Sequence, residues 1–322
     1  MKRSTKYVGL DVHQATTVAS VREESGKVIA RSVVPMQPRA LVEFLRGMRG
    51  VVHVALEEGT QAQWLHDLLV PVVHRVVVCD RRREARASHK ADHADADALS
   101  DGLRCGTLRA VYHGGAQAPG LKDLARTYLN LVEDATRVML WLKAVFRARG
   151  IPVAGRSVYD PRQRAQWLAQ LPAGGAHFRA LALYAQLELL QRLRPQAKTA
   201  LVTEARRDAA WRALRTIPYL GPVRVALLLA VVQTPWRFRT KRQLWAYAGL
   251  AVVTRTSAEF GWHEGRPVRR PRPPLTRGLN RNHNRIVKWV LKGAATTAAT
   301  RAGALHDFYE TLLGRGMRPE LA

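Results

Sequence analysis

The first third of the chain alternates apolar and polar residues in the manner of strands. "KYVGLDVH" (6–13), "TTVASVRE" (16–23) and "KVIARSVVP" (27–35) are β-rich, and "ESGK" supplies the turn between the second and third. The pattern predicts a three-strand meander. In "RALVEFLRGMRG" (39–50) the period changes. Leu41, Phe44, Leu45 and Met48 fall at helical spacing, and Gly50 stands as the stop. "VVHVALE" (51–57) reads as a strand, "TQAQWLHDLLV" (60–70) as a helix and "HRVVVCD" (74–80) as a strand. The stretch through "DHADADALSDGLR" (92–104) reads as a helix with Ala94, Ala98 and Leu99 available to pack.

From about residue 119 the texture is helical. Leu121, Leu124, Tyr128, Leu131, Ala135, Val138, Leu142 and Val145 make a heptad seam that ends at Gly150. A second long helix spans about 176–209, with Leu181, Tyr184, Leu187, Leu190 and Leu201 apolar and a kink expected at Pro195. Together they read as an antiparallel helical hairpin or coiled coil, packed either within one subunit or between subunits. Further on, "WRALRTIPYLGPVRVALLLAVV" places two helices about the tight turn "IPYLGP", a helix-hairpin-helix pattern whose turn can hold a phosphate. "FRTKRQLWAYAGL" (238–250) is a further helix. "AVVTRTSAEFGWHEGRPVRRPRPPLTRG" (251–278), rich in Pro and Gly, is expected to be largely loop. "NRNHNRIVKWVLKGAATTAATR" (280–301) returns to helix.

Three sequential strands followed by alternation, β-β-β-α-β-α-β-α, is the plan of the RNase H-like fold. The expected class is α/β plus all-α. The expected domains are an RNase H-like (RuvC-like) segment at 1–115, a helical hairpin or coiled coil at 116–210, and a mainly helical C-terminal domain at 211–322.

Charge adds the partner. With 52 Lys and Arg against 25 Asp and Glu, the chain of 322 residues carries a net charge of +27. Such a chain repels itself unless a polyanion neutralises it, and nucleic acid is the obvious polyanion. An anionic membrane surface fits less well, because there is no basic amphipathic helix with an aromatic face. Apolar runs are too short for a membrane span, and "MKRSTKYVGLDVH" lacks the apolar core of a secretory signal. Cys79 and Cys105 make neither a disulfide framework nor a zinc set, which suits a reducing cytoplasm.

Against this basic background the acids stand out. Asp11 sits late in the first strand and Glu57 ends the fourth, with Glu58 as its alternative. Asp92 and Asp95 share a helix face at i, i+3, whereas Asp97 lies off that face and is expected in solvent. In an RNase H-like sheet the first and fourth strands are neighbours, so four carboxylates converge at one edge. Hard divalent cations need such oxygen-rich sites. Two of them about 4 Å apart activate a nucleophile and stabilise a leaving oxygen on a phosphodiester. Taken singly, a strand-ending Asp is often a turn former, and an Asp/Ala-rich helix usually presents a solvated face.

The motifs resemble those of the DEDD insertion-sequence transposases, the IS-one-ten family, which also holds the Piv-type DNA invertases. "GLDVH" with Asp11, "LEEGT" with Glu57 and "KADHADA" with Asp92 and Asp95 match its RuvC-like half. "IPYLGP", "FRTKRQLWAYAGL" and "TRTSAEF" match its C-terminal transposase domain, in the right order. The resemblance implies a covalent bond between DNA and a serine. Ser257 matches that serine, with Thr256 adjacent and Ala258 where the family usually has Gly. Arg255, Arg266, Arg269 and Arg270 are candidates to clamp phosphates.

The resemblance further implies Mg²⁺ (with Mn²⁺ as substitute) at the carboxylates, donor and target DNA as substrates, and a structured non-coding guide RNA. It implies homo-oligomers, dimers pairing into a tetramer, in a bacterial, nucleoid-associated cytoplasmic location. There the heptad seam would serve as a dimerisation element. Three other functions share parts of the pattern: a Piv-like invertase, a RuvC-type resolvase or nuclease using water, and a basic nucleic-acid-binding protein whose acids are structural.

Overall fold

The computed structural model describes residues 4–80, 93–114, 119–255, 259–270 and 275–319. The chain divides into two compact units, Met1–Gln117 and Ala118–Ala322.

In the first unit β1 (Thr5–Val12), β2 (Thr16–Glu23), β3 (Val28–Pro35), α1 (Pro38–Arg46), β4 (Val51–Glu57), α2 (Ala62–Leu69), β5 (Arg75–Cys79) and α3 (Ala94–Cys105) follow in the expected order. The strands form one sheet in the order β3-β2-β1-β4-β5. β2 is antiparallel to β1 and β3, while β4 is parallel to β1 and β5 to β4. This mixed sheet is compatible with an RNase H-like domain. Helix α1 stops at Arg46 rather than at Gly50. Gly50 instead enters β4 with φ 102°, and a Cβ there would lie 2.2 Å from the Ser4 carbonyl oxygen.

Alternation sorts the sheet into two faces. Val8, Leu10, Val21, Val54 and Leu56 turn to one face and pack on Leu41 and Leu45 of α1 and Leu65 and Leu69 of α2. Ala55, Val77 and Cys79 turn to the other and meet Leu99 and Leu103 of α3. Each such leucine, fully buried, stabilises the fold by about 1.5–3 kcal/mol. In α3 the inward residues are Ala96, Leu99, Ser100 and Leu103; Ala94 and Ala98, expected to pack, are exposed. One residue's offset in the helical stripe accounts for the difference, because small alanines mark neither face.

In the second unit α4 (Pro119–Arg147), α5 (Arg164–Ala169) and α6 (Gly175–Ala205) make the hairpin. Leu121, Ala125 and Tyr128 at the start of α4 share a core with Leu201 and Ala205 at the end of α6. Leu142, Val145 and Phe146 share another with Ala180, Leu183, Tyr184 and Leu187. The helices are therefore antiparallel, and the heptad seam is spent on α6 of the same chain. Of the two arrangements the sequence allowed, the intrachain one holds here. Leu181, expected inside, is 43% exposed. Pro195 lies within α6 without ending it. The residues around it are mostly exposed, so the carbonyl that proline cannot serve is open to solvent.

The rest of this unit holds α7 (Trp211–Arg215), α8 (Pro222–Val232), α9 (Lys241–Ala248), four short strands, α10 (Arg285–Ala299) and α11 (Ala304–Gly314). Helix α8 is apolar but for Arg224 and buries Val225 through Ala230, against Val287 and Val290 of α10 among others. The stretch 251–278, expected as loop, contains β6 (Val252–Arg255), β7 (Glu259–His263), β8 (Arg266–Arg270) and β9 (Leu275–Leu279). β6 pairs with β9 and β7 with β8, both antiparallel. The β7–β8 turn is made by Glu264 (φ 49°) and Gly265 (φ 74°), the two positive values a two-residue hairpin turn requires. The proline and glycine count hid that turn.

Candidate active site

The site begins with a rung of the sheet. Gly9 and Asp11, two apart on β1, face α3. In the β1–β4 register Gly9 pairs with Ala55 and Leu10 with Leu56. Carrying that offset one step beyond the last pair brings Asp11 level with Glu57, on the face of Gly9 and Ala55. Glu57 is also in register with Cys79, whose side chain belongs to the α3 face. Glu58, next along, alternates away. Its Oε2 lies 2.7 Å from His113 Nε2, and His113 Nδ1 lies 3.0 Å from Gln63 Oε1 of α2. Gln63 Nε2 donates in turn to Asp67 Oδ1 at 3.0 Å. The His113 side chain is only 6% exposed and stacks on His66 at 5.3 Å. Two neighbouring glutamates thus serve opposite faces. No local signal in the sequence pointed to His113; it arrives on a segment whose Ala110 bridges to Cys79 of β5.

Helix α3 lies across this rung. An added Cβ at Gly9 would stand 2.1 Å from the Ala96 carbonyl oxygen and 2.6 Å from the Ser100 nitrogen. The glycine lets the helix backbone rest on the strand. Leu103, near the helix end, packs with Tyr7, earlier on β1, so α3 runs opposite to β1. The first turn of α3 therefore lies toward Asp11. Asp95 occupies that turn, half-buried, one turn before Leu99 on the stripe that meets Ala55 and Cys79. A carboxylate in a helix's first turn is favoured by the helix dipole. Asp92, the other predicted acid of this stripe, lies outside the described residues.

Asp97 departs from expectation. It is not a solvated surface group: its side chain is 25% exposed and bonds to Ser20 and Arg31. The Arg31 guanidinium, and behind it the Ser20 hydroxyl, holds its carboxyl below the usual carboxylate range against the opposing effect of burial. Strand alternation carried the missed signal, because Ser20 pairs with Gly9 and so faces α3.

Asp11 Oδ2 lies 3.3 Å from His13 Nε2, with the carboxylate 22% exposed. Carboxylate oxygens are the donor chemistry that a hard divalent cation takes, so the residue types fit one. Among the described residues, however, no three His, Cys, Asp or Glu side chains converge to hold a metal.

In the second unit, Ser257, with Thr256 and Ala258, lies outside the described residues. It falls between β6 and β7, which belong to different two-stranded sheets. Arg266 opens β8 and is exposed. Arg255 closes β6, and Arg269 and Arg270 close β8. At the "IPYLGP" turn Tyr219 has φ 64°; its carbonyl accepts from Arg224 Nη1 at 2.8 Å, and that of Leu220 from Arg215 Nη1. Two arginines there brace the turn itself.

A mixed sheet with acids at the carboxyl ends of adjacent parallel strands defines an α/β domain suited to phosphodiester chemistry. Comparison with protein families agrees. Residues 8–148 match a DEDD family of the IS110 type described as "Transposase", and residues 211–310 match the "Transposase IS116/IS110/IS902 family". The chain belongs to the IS110, or IS-one-ten, family of DEDD transposases, enzymes that cleave and rejoin DNA. DNA is its substrate, and the DEDD domain suggests use of a divalent metal. No individual curated protein matches the chain. Among the described residues no helix is long and apolar enough to cross a membrane.

Proposed function

We propose that this transposase moves its insertion sequence through a serine–DNA intermediate, with Asp11, Glu57, Asp92 and Asp95 as the carboxylates of a divalent-metal site and Ser257 as the nucleophile. What supports the carboxylate half is that Asp11 and Glu57 follow directly on the last β1–β4 pair, on one face, with Asp95 in the first turn of the helix on that face. Glu57 is preferred to Glu58 because Glu58 faces His113 on the opposite side. The serine half rests on the family match across 211–310, which includes Ser257.

A divalent cation, Mg²⁺ or Mn²⁺, would lower the charge on the phosphate and acidify a hydroxyl. The chain's residues do the rest. The Ser257 Oγ–phosphorus bond forms as a phosphorus–sugar oxygen bond breaks; the serine proton leaves to a base and the sugar oxygen takes one up. Attack by a second strand's sugar hydroxyl reverses the step and frees the serine. Phosphodiester bonds are conserved, so no energy source is needed. The net charge of +27 fits a protein that holds DNA backbones, and it fits sequence readout by a guide RNA, the division of labour the family resemblance implies. In this proposal residues 1–115 supply the carboxylates, 116–210 the hairpin and 211–322 the serine segment, and homodimers or tetramers bring one subunit's carboxylates to another's serine.

The test incubates purified protein and RNA from its flanking DNA with Mg²⁺ and labelled donor and target DNA. A protein-linked label on denaturing gels, lost in both Ser257→Ala and Asp11→Ala, is expected. Cleavage that survives Ser257→Ala but not Asp11→Ala would replace the serine by water, as in a resolvase.

A further inference from the structure

Asp97 has more bonds than helix packing needs. Oδ1 accepts from Ser20 Oγ at 2.6 Å and from Arg31 Nε at 3.1 Å, and Oδ2 accepts from Arg31 Nη2 at 2.7 Å. Arg22 Nη2 reaches the Asp97 carbonyl at 3.3 Å, and Ser100 Oγ donates to the same carbonyl at 2.9 Å. Ser20 and Ser100 are fully buried. This polar edge ties α3 to β2 and β3, while Leu99 and Leu103 tie the other edge to β4 and β5. Apolar contacts set how deep a helix sits but are non-directional. A forked arginine–carboxylate pair has fixed geometry and sets rotation. Asp97 follows Asp95 by two residues, roughly 200° around the helix, so any turn of one moves the other.

We propose that Asp97 is a positioning residue: its bonds to Ser20 and Arg31 set the rotation of α3 and so place Asp95 over the Asp11–Glu57 rung. The proposal rests on the carboxylate site above. The test uses the full chain and Mn²⁺ alone, measuring free Mn²⁺ by electron paramagnetic resonance, α3 amide exchange and thermal unfolding. Asp97→Ala is expected to weaken Mn²⁺ binding about tenfold or more, the scale of lost outer-shell support. Asp97→Asn keeps one acceptor for Ser20 and should fall between. Exchange should rise in the first turn of α3 while unfolding moves little. If Asp97→Ala binds Mn²⁺ as wild type does and Asp11→Ala does not, positioning is wrong and the carboxylate site stands. If Asp11→Ala also binds normally, both fall. Should Asp97→Ala not fold, Asp97→Asn and Ser20→Ala carry the same comparison.

A separate observation points to a nucleic-acid contact in the second unit. Between Trp211 and Ala258 there are eight Lys and Arg and no Asp or Glu. Within this stretch Trp236 is 90% exposed on the one-turn helix Pro235–Arg237. Its backbone is anchored: Thr234 Oγ1 accepts from Trp236 N at 3.3 Å, and the Arg237 guanidinium sits 5.1 Å from the Phe238 ring and 4.9 Å from that of Tyr247. An exposed indole on an anchored turn, in a stretch of sequence that carries cations and no acids, has the features that stack on bases. We infer that Trp236 stacks on an unpaired nucleobase, with Arg239, Lys241 and Arg242 on the flanking phosphates. Fluorescence anisotropy would compare a blunt DNA duplex with the same duplex bearing unpaired bases. Trp236→Ala should lose about tenfold or more on the second, from one lost base stack, and under about twofold on the first; Trp236→Phe should keep most of the affinity. Equal loss on both DNAs, or no loss, overturns the inference. So does a change in oligomer size in Trp236→Ala, which would make the ring a protein contact.

Discussion

Replacing Gly9 by alanine tests the packing on which the site depends. The new Cβ would lie 2.1 Å from the Ala96 carbonyl oxygen, 2.6 Å from the Ser100 nitrogen and 2.8 Å from the Leu99 Cβ. All three belong to the backbone or its first side-chain atom, so no rotamer change relieves them. Ordinary contact begins near 3.4 Å, so α3 must withdraw by more than an ångström at its closest point. Forcing a methyl into such a place costs about 1–3 kcal/mol. The retreat also opens a gap under Leu99 and Leu103, and a gap of roughly 1 Å forfeits up to about half of a contact's dispersion energy. Alanine's better strand entropy returns about 0.5–1 kcal/mol. The net loss is about 2–3 kcal/mol, which lowers the melting point of a unit this size by about 10 °C. Calorimetry of the full chain reads the melting point, and amide exchange reads α3. Gly59→Ala, with no atom within 4 Å, is the control and should shift stability by under about 0.5 kcal/mol. A Gly9→Ala protein with wild-type α3 protection and melting would refute the argument, because it would mean that the helix does not rest on the strand.

Other substitutions probe the second unit. Asn284 caps α10 by accepting from Ile286 N at 3.0 Å and Val287 N at 3.1 Å, so Asn284→Ala should cost about 1–2 kcal/mol in a urea melt, with Asn284→Asp recovering most of it. Phe146 is fully buried and meets Trp167 edge-on at 5.3 Å, and Phe146→Ala should cost about 3–5 kcal/mol by the same assay. Burial pushes the Tyr184 phenol up from 10.0 to about 12, against the opposing pull of Arg164. A raised value means the stabilisation is whole below pH 10 and is lost as pH climbs from 10 to 12, by about 1.4 kcal/mol per unit. Tyr184→Phe should lose about 1 kcal/mol at pH 8, with the bond to the Val158 carbonyl, and then decline less steeply; parallel curves for both proteins would contradict this.

Much of the first unit was legible in the sequence because its signals are local. A period of two marks a strand and a period near four marks a helix whatever lies opposite, so the order from β1 to α3 and the acids at the ends of β1 and β4 could be read directly. The motif order also carried the family. What lay beyond reach was the choice of partner. Glu57 and Glu58 are chemically alike, and only the register of β4 against β1, with His113 waiting on the far face, assigns them to opposite sides. Asp97 resembled a solvated acid until β2 and β3 brought Ser20 and Arg31 beneath it. The heptad seam announced a helical partner but not which one, and the fold spent it on α6. β6 and β9 pair across a distance that no local window spans. Side-chain periodicity is written into neighbouring residues, whereas burial, register and ion pairing depend on segments that meet only after the chain has folded.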